Sequence, residues 1–346
     1  MTYALGGNDE TDAVRIRRVT RGRLLGGLML LAAMAGVASV AIGSAAIPPG
    51  RVFDAMIGHG DPIERAILLE LRLPRAILGL AVGAMLGLSG AALQGFLRNP
   101  LAEPSVLGAS NGASLGAVIA LYFGVAEIHP AMLPALAIIG AFAALGLLFV
   151  LSAGSESALS LILAGIAVGT LAVAGVSLAL NLSPNPFAAM EIMTWLLGSL
   201  EDRSFMHVML ALPCIAVGIV LVAWDGRALD ALTLGEDGAR ALGVDLRYTR
   251  ARILVGIAVG VGGAVAVSGA IGFIGLIVPH LIRPLTDRSP SAILLPSAIG
   301  GAALLTFADV LVRVIPTSSE LKLGVVTAFL GVPVFVVQLM RERRSW

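Results

Sequence analysis

Apolar residues run along the chain in long blocks separated by short polar joints. The blocks fall at about 24–47, 76–97, 105–124, 131–152, 158–181, 205–223, 251–270, 274–284, 290–312 and 322–340. A helix that crosses hydrocarbon needs roughly 20 mainly apolar residues, so each block is read as a span, about ten in all. The eighth is short and contains Pro279; it reads as a half-helix or re-entrant segment, which survives only where protein or a cavity shields its backbone. The first block follows Arg15, Arg17, Arg18, Arg21 and Arg23, and Ala45-Ala46 imitates a leader cleavage site. Its apolar stretch is longer than the roughly 7–15 residues of a signal core, so the reading is a retained helix.

Composition turns these blocks from buried helices into membrane helices. Hydrophobic residues make up 58% of 346 and charged residues only 13%, against about 25% charged in a soluble domain. So few charges cannot cover the surface of a soluble fold, and lipid must be the solvent. The 42 glycines suit helices that approach closely. A net charge of +1 argues against nucleic-acid binding, and the single cysteine, Cys214, excludes an internal disulfide framework.

The fold class is therefore an all-α polytopic bundle. Arginine placement orients it. With ten crossings and both termini cytoplasmic, most of the 23 Lys and Arg residues fall inside, among them Arg98, Arg227, Arg240, Arg247, Arg250, Arg252, Arg283 and Arg288. Arg51, Arg65, Arg72, Arg75, Arg203, Arg313 and Lys322 fall outside. The domain reading is a cytoplasmic segment 1–23, one transmembrane domain 24–340 with a cytoplasmic loop 224–252, and a cytoplasmic tail 341–346. Ser89-Gly90-Ala91 followed by Pro100, and Ser268-Gly269-Ala270 followed by Pro279, echo each other at equal spacing. Five spans per half would relate the two copies as an inverted repeat.

Three segments between spans carry candidate function. In Leu234-Gly235-Glu236-Asp237-Gly238-Ala239-Arg240-Ala241-Leu242-Gly243, the two acids suit a helix start and Gly243 a helix end. Ala239 and Leu242 then share a small apolar face that a soluble partner could grip; an ordinary connector is the plain alternative. In Leu71-Arg72-Leu73-Pro74-Arg75, two forked donors three residues apart suit carboxylates on a docking protein, against simple snorkelling. Asp309 lies four residues before Arg313 and can pair with it along a helix. From Gln94 to Gly112, prolines, glycines, serines and asparagines interrupt helix between two spans, as in the cavities and gates of transporters.

Absences bound the chemistry. There is no G-x-x-x-x-G-K-[ST] sequence for ATP. The four histidines have no metal-ligand spacing, and no catalytic constellation is present. The span centres almost lack the acids and histidines of a proton relay. Transport must draw energy from a partner, or the chain is a passive channel or a stand-alone secondary transporter.

Leu71 to Arg75, Ser89-Gly90-Ala91 with Gln94, Asn99-Pro100-Leu101-Ala102-Glu103-Pro104, Leu107 to Ala113, Leu234-Gly235 with Ala239 to Gly243, Ser268 to Leu276, Pro279 to Arg283, Ala308-Asp309, Arg313, Glu320-Leu321 and Gly324 to Thr327 occur in order. Together they resemble the FecCD-type permeases of iron–siderophore, haem and cobalamin ABC importers, over about residues 70–338. The resemblance implies a homodimer of ten-helix subunits in a bacterial inner membrane with the pathway at the dimer interface. It implies two cytoplasmic ATPase subunits that bind ATP and Mg, and a periplasmic or lipid-anchored substrate-binding protein. This chain would itself hold no cofactor, metal or catalytic residue. Arg72, Arg75 and Arg313 would meet the binding protein; Leu234, Gly235, Ala239, Leu242 and Gly243 would couple to the ATPase; Gln94, Asn99 and Leu101 would stand in the pathway or at its gate. Ferric siderophore is the expected cargo, with cobalamin or haem as the alternative. The family usually has proline where this chain has Lys322, its only lysine.

Overall fold

A computed structural model of the chain describes residues 21–342 apart from 44, 46, 58, 60, 130, 153–157 and 318. Most of the expected N-terminal segment and tail lie outside the described residues. The principal helices are α1 (Arg21–Ala41), α2 (Leu73–Phe96), α3 (Ala109–Tyr122), α4 (Met132–Leu151), α5 (Ala158–Asn181), α6 (Pro186–Leu196), α7 (Phe205–Trp224), α8 (Gly226–Leu232), α9 (Glu236–Ala241), α10 (Leu246–Ser268), α11 (Ile274–Ile282), α12 (Pro290–Val314) and α13 (Leu323–Glu342). Each of the ten expected blocks holds a helix. Among the described residues seven helices are long and apolar enough to cross a membrane; α3, α11 and the apolar part of α13 are shorter. The short α6 was not anticipated, because its 11 residues fall well short of a span.

Helix α2 continues an upstream helical segment through a wider π-type turn at Ile67–Arg72. Pro74 follows at once, and the widened turn accommodates its missing N–H and its ring. Helices α2 and α10 are buried through most of their length, whereas α1 and α7 show broad apolar faces to the outside. The bundle is closed by small residues. A side-chain carbon on Gly87 of α2 would lie 2.2 Å from the Ser297 carbonyl of α12, and one on Gly83 would lie 2.3 Å from that of Gly301. Gly112 of α3 faces Gly140 of α4 in the same manner. With no hydrophobic drive between helices in lipid, this backbone-to-backbone proximity supplies the packing.

Two departures from regular helix bear on function. Phe273, with φ 68°, starts α11 from the left-handed region, and Pro279 sits inside that helix. Pro279 has no N–H to give the Gly275 carbonyl four residues earlier. Gln94 of α2 supplies the donor instead, its Nε2 at 3.3 Å from Gly275 O and 3.4 Å from Leu276 O. The second departure is the meeting of three helix ends, where Ser199 N donates to Ser268 O at 2.8 Å, Leu323 N to Gly198 O at 2.8 Å and Gly324 N to Leu197 O at 3.1 Å. Irregular backbone between packed helices persists when protein groups satisfy it in this way. The two repeat-like motifs are locally unlike: Ser89 is inside α2, whereas Ser268 ends α10 and Gly269 has φ 67°.

Candidate functional site

At one end of the bundle the expected docking arginines come together, and they point inward. A helix end leaves its last carbonyls without partners, and the last turn of α1 shows where they go. Ile42 N takes Ala38 O. Arg313 Nη1 donates to Ser39 O at 2.8 Å and to Ile42 O at 2.9 Å, and its Nη2 to Ser39 Oγ at 2.7 Å. Arg72 Nη1 donates to Val40 O at 3.1 Å and Ala41 O at 2.8 Å, with Nη2 on Ala45 O. Two guanidiniums thus cap one helix, where positive charge is also favoured by the dipole.

Arg75 completes the cluster. Its Nε and Nη2 grip both oxygens of Asp309 at 2.8–3.1 Å, and Nη1 and Nη2 grip Glu320. Asp309 also pairs with Arg313 at 2.9 Å, the i, i+4 pair expected from the sequence. Arg72, Arg75 and Asp309 are 5%, 8% and 1% exposed. Within the chain, the donors of Arg72, Arg75 and Arg313 are engaged by α1, α12 and the segment before α13. Arg203, which sequence reasoning only counted, lies beside this cluster with its Nε buried and without an acceptor. Burial pushes its guanidinium below the ordinary value, and Asp202 and Glu201 oppose that shift. Lys322 pairs with Glu201 at 2.8 Å, so the residue standing in place of proline has a specific partner.

At the opposite end, α8 and α9 form the joint between α7 and α10. Gly235, with φ 93°, opens α9 and Gly243, with φ 82°, follows it, as their spacing predicts. Ala239 is fully buried, whereas Leu242 is 64% and Leu234 69% exposed. The expected shared face of Ala239 and Leu242 is therefore replaced by an outward pair, Leu234 and Leu242, with Tyr248 also exposed. Ala239 seats α9 against the bundle. Below it, Arg252 grips Asp225 at 2.6 and 2.9 Å, and Arg250 reaches Ser152 Oγ at 2.7 Å and lies over the Phe149 ring. These contacts fix the joint to α4 and α7.

The broken segment after α2 is divided in role. Gln94 is 3% exposed; besides serving α11, its Oε1 accepts from Arg283 at 2.9 Å. It brackets α2 to α11. Asn99 Oδ1 accepts the Leu101 N–H at 2.9 Å and shapes the turn, leaving Leu101 42% exposed. The end of this segment reaches α5: a side-chain carbon on Gly165 would lie 2.4 Å from Val106 O, and one on Gly169 would touch Asn111.

Helix α5 itself carries the signal that sequence reading passed over. Its exposed face includes Thr170, Ser177 and Asn181, seven and four residues apart, which a helix aligns in one stripe. Each donates to its own helix: Thr170 Oγ1 to Ile166 O at 2.8 Å, Ser177 Oγ to Val173 O at 3.0 Å and Asn181 Nδ2 to Ser177 O at 2.9 Å. The large side chains exposed on α1 and α7, such as Leu30, Val37, Met209 and Val217, carry no such stripe.

The comparisons with known proteins agree with this architecture. The model of the FecCD transport family matches residues 30–341. The vitamin B12 import system permease protein BtuC of Vibrio cholerae is 42% identical over 298 residues, covering 86% of this chain and 89% of that protein. An uncharacterized ABC transporter permease protein of Bacillus subtilis, YvrB, is 38% identical over 298 residues, covering 85% and 84%. A solved structure described as an inward-facing, metal-chelate-type ABC transporter superposes with a TM-score of 0.84 at 31% identity, covering 92% of this chain and 99% of that one.

Proposed function

The chain belongs to the FecCD transport family as a multi-pass permease subunit of an ABC importer, and we propose that a bulky metal chelate crosses the membrane between two copies of it, along the polar stripe of α5. The chain is not an enzyme; ATP hydrolysis belongs to a separate subunit. The observation that carries the pathway is the exposed row of Thr170, Ser177 and Asn181, because a face turned to lipid gains nothing from three polar side chains. Each has its donor bonded to its own helix, so the wall offers little specific attraction. Such a surface suits a large cargo of mixed polarity that must not bind tightly on its way through.

Ten crossings with both termini cytoplasmic, two ATPase subunits at the exposed Leu234 and Leu242, and a binding protein at the opposite end complete the reading. Arg72, Arg75 and Arg313 then act as the frame of the docking surface and not as its contact charges. Asn99 and Leu101 belong to a segment that packs on α5 and moves with it. Relatives named for vitamin B12 import put cobalamin ahead of ferric siderophore as the first cargo to assay.

The test is uptake into proteoliposomes holding the chain, its ATPase and its binding protein, with cyanocobalamin and a ferric siderophore supplied separately. ATP-dependent uptake of one chelate is expected. Uptake by the chain alone, without ATPase, would refute the importer reading. Equal indifference to both chelates would refute the cargo class.

A further inference from the structure

Helices α4 and α5 both pack on α3 and only lightly on each other. A groove of about 280 Å³ opens between them, with α3 as its floor. All thirteen residues that line it are Gly, Ala, Val, Leu or Ile. We propose that this groove is an acyl-chain site, filled by one hydrocarbon tail of a bilayer phospholipid that braces α5 from behind.

The groove is preformed, because glycine contacts fix both of its walls. A side-chain carbon on Gly116 of α3 would lie 2.0 Å from the Leu136 carbonyl of α4, and one on Gly140 would lie 2.2 Å from Gly112 O. On the other wall, Gly165 and Gly169 of α5 meet Val106 O and Asn111 as described above, and Gly175 rests against Leu115 of α3. Both helices are thus locked on α3 and the segment leading into it. Neither can slide toward the other to close the gap without parting these contacts. Ala143, Ala144 and Ala172 line the gap, so the chain's own side chains are too short to fill it.

Chemistry and depth select the occupant. A buried water needs two to four polar partners, and no polar side chain lines the groove, so water does not fill it. Its volume is about twice that of the roughly 150 Å³ apolar cavity that stays dry and binds benzene. Gly140 and Ala143 lie midway along Met132–Leu151, and Val168 to Ala172 lie midway along Leu159–Asn181, two of the apolar spans. The groove therefore sits at the depth of lipid tails and not of headgroups. Its mouth is open, with Ile119, Ile139 and Leu171 39%, 59% and 60% exposed. A flexible chain without polar atoms enters such a slot from the bilayer and gains close dispersion contact on three sides.

The second copy and the cargo are both assigned to the other side of α5. They face the stripe of Thr170, Ser177 and Asn181, whereas Val168, Leu171 and Ala172 lie roughly 100–200° round the helix from it. The groove is at the back of the helix that lines the proposed pathway. An occupied groove holds the middle of α5 at a fixed distance from α4. That bracing role rests on the pathway reading; the site itself rests on the groove.

The experiment uses the full chain in nanodiscs of phosphatidylcholine and phosphatidylglycerol, with a trace of phosphatidylcholine carrying a diazirine midway along one acyl chain. No ATPase, binding protein or cargo is present, so the outcome stands apart from the transport reading. After irradiation, labelled residues are mapped by peptide mass. Label on residues 139–147 and 168–172 should exceed, several-fold, that on the exposed faces of α1 and α7. In A143F/A172L, which fills the slot, it should fall to the α1 level, with an unfolding midpoint equal to or above that of the wild type. Ala143→Phe alone adds bulk at an exposed position and carries the same expectation if the double variant does not fold. Equal labelling of the groove, α1 and α7 in the wild type, or wild-type labelling in Ala143→Phe, overturns the site. So does an efficient disulfide between copies through Leu171→Cys in a Cys214→Ala background, which would mean that a second copy covers the groove.

Discussion

Replacing Asp309 by alanine tests whether the arginine cluster is a structural staple. Asp309 is 1% exposed and faces two guanidiniums, Arg75 at 2.8–3.1 Å and Arg313 at 2.9 Å. Removing one member of a buried pair costs about 3–5 kcal/mol, because the partner is left as an uncompensated charge. Arg75 keeps Glu320, and Arg313 keeps the carbonyls of Ser39 and Ile42, so the lower half of that range is expected for Asp309→Ala. Glu320 is 18% exposed and water replaces part of its contribution, so Glu320→Gln should cost about 1–2 kcal/mol. Replacing Arg75 by Met together with Asp309 by Leu removes both charges, and should recover much of what either single change loses. The assay is equilibrium unfolding of the purified chain in mixed micelles, with no binding protein present, followed by binding-protein affinity on the same samples. If Asp309→Ala shifts unfolding by under about 1 kcal/mol while affinity collapses, the cluster is a docking site after all and the staple argument fails.

Three further outcomes follow from the geometry. Leu242→Glu and Leu234→Glu should abolish co-purification of the ATPase while leaving the isolated chain as stable as before; Ala239→Glu should instead lower stability, since it puts a charge at a fully buried position at several kcal/mol. In a Cys214→Ala background, cysteines at Thr170 and Ser177 should react with a water-soluble thiol reagent faster than cysteines at Met209 and Val217. Equal rates would place α5 against lipid. Gly87→Leu should destabilise by about 1–3 kcal/mol or more, because its first carbon already meets the Ser297 carbonyl at 2.2 Å; an unchanged unfolding midpoint would mean that α2 and α12 separate freely.

Hydropathy was enough to place the helices of the ten apolar blocks, because a span must be apolar along its whole length; the short helices between them, such as α6 and α8, escaped it. Local pairs were legible for the same reason of proximity: Asp309 with Arg313, and the glycines that bound α9. What stayed hidden depends on residues distant in sequence. Arg75 and Asp309 are 234 residues apart, and the carbonyls that Arg72 caps belong to a helix end about thirty residues upstream. Nothing local to Leu71–Arg75 reveals that its donors are already used. Gln94 bonds a carbonyl orphaned by the proline in α11, 181 residues away, which its place in a broken segment does not reveal. Ala239 and Leu242 were expected on one face, but α9 is six residues long and Leu242 already leaves the helical path at its end. The stripe on α5 was in the sequence throughout; three polar residues at seven- and four-residue spacing inside a span were signal enough.

Lys322 carries a practical consequence. It is the only lysine in the chain and its side chain is about one-fifth exposed, paired with Glu201, at the end of the bundle where α10, α13 and the segment before α7 are laced together. An amine-directed acylating probe therefore has one side-chain target in the whole protein. Acylation would cancel its charge and release Glu201, and its rate would follow how often that ion pair opens. The chain thus carries one side-chain amine that reports how often this ion pair opens, readable by peptide mass without introducing a cysteine.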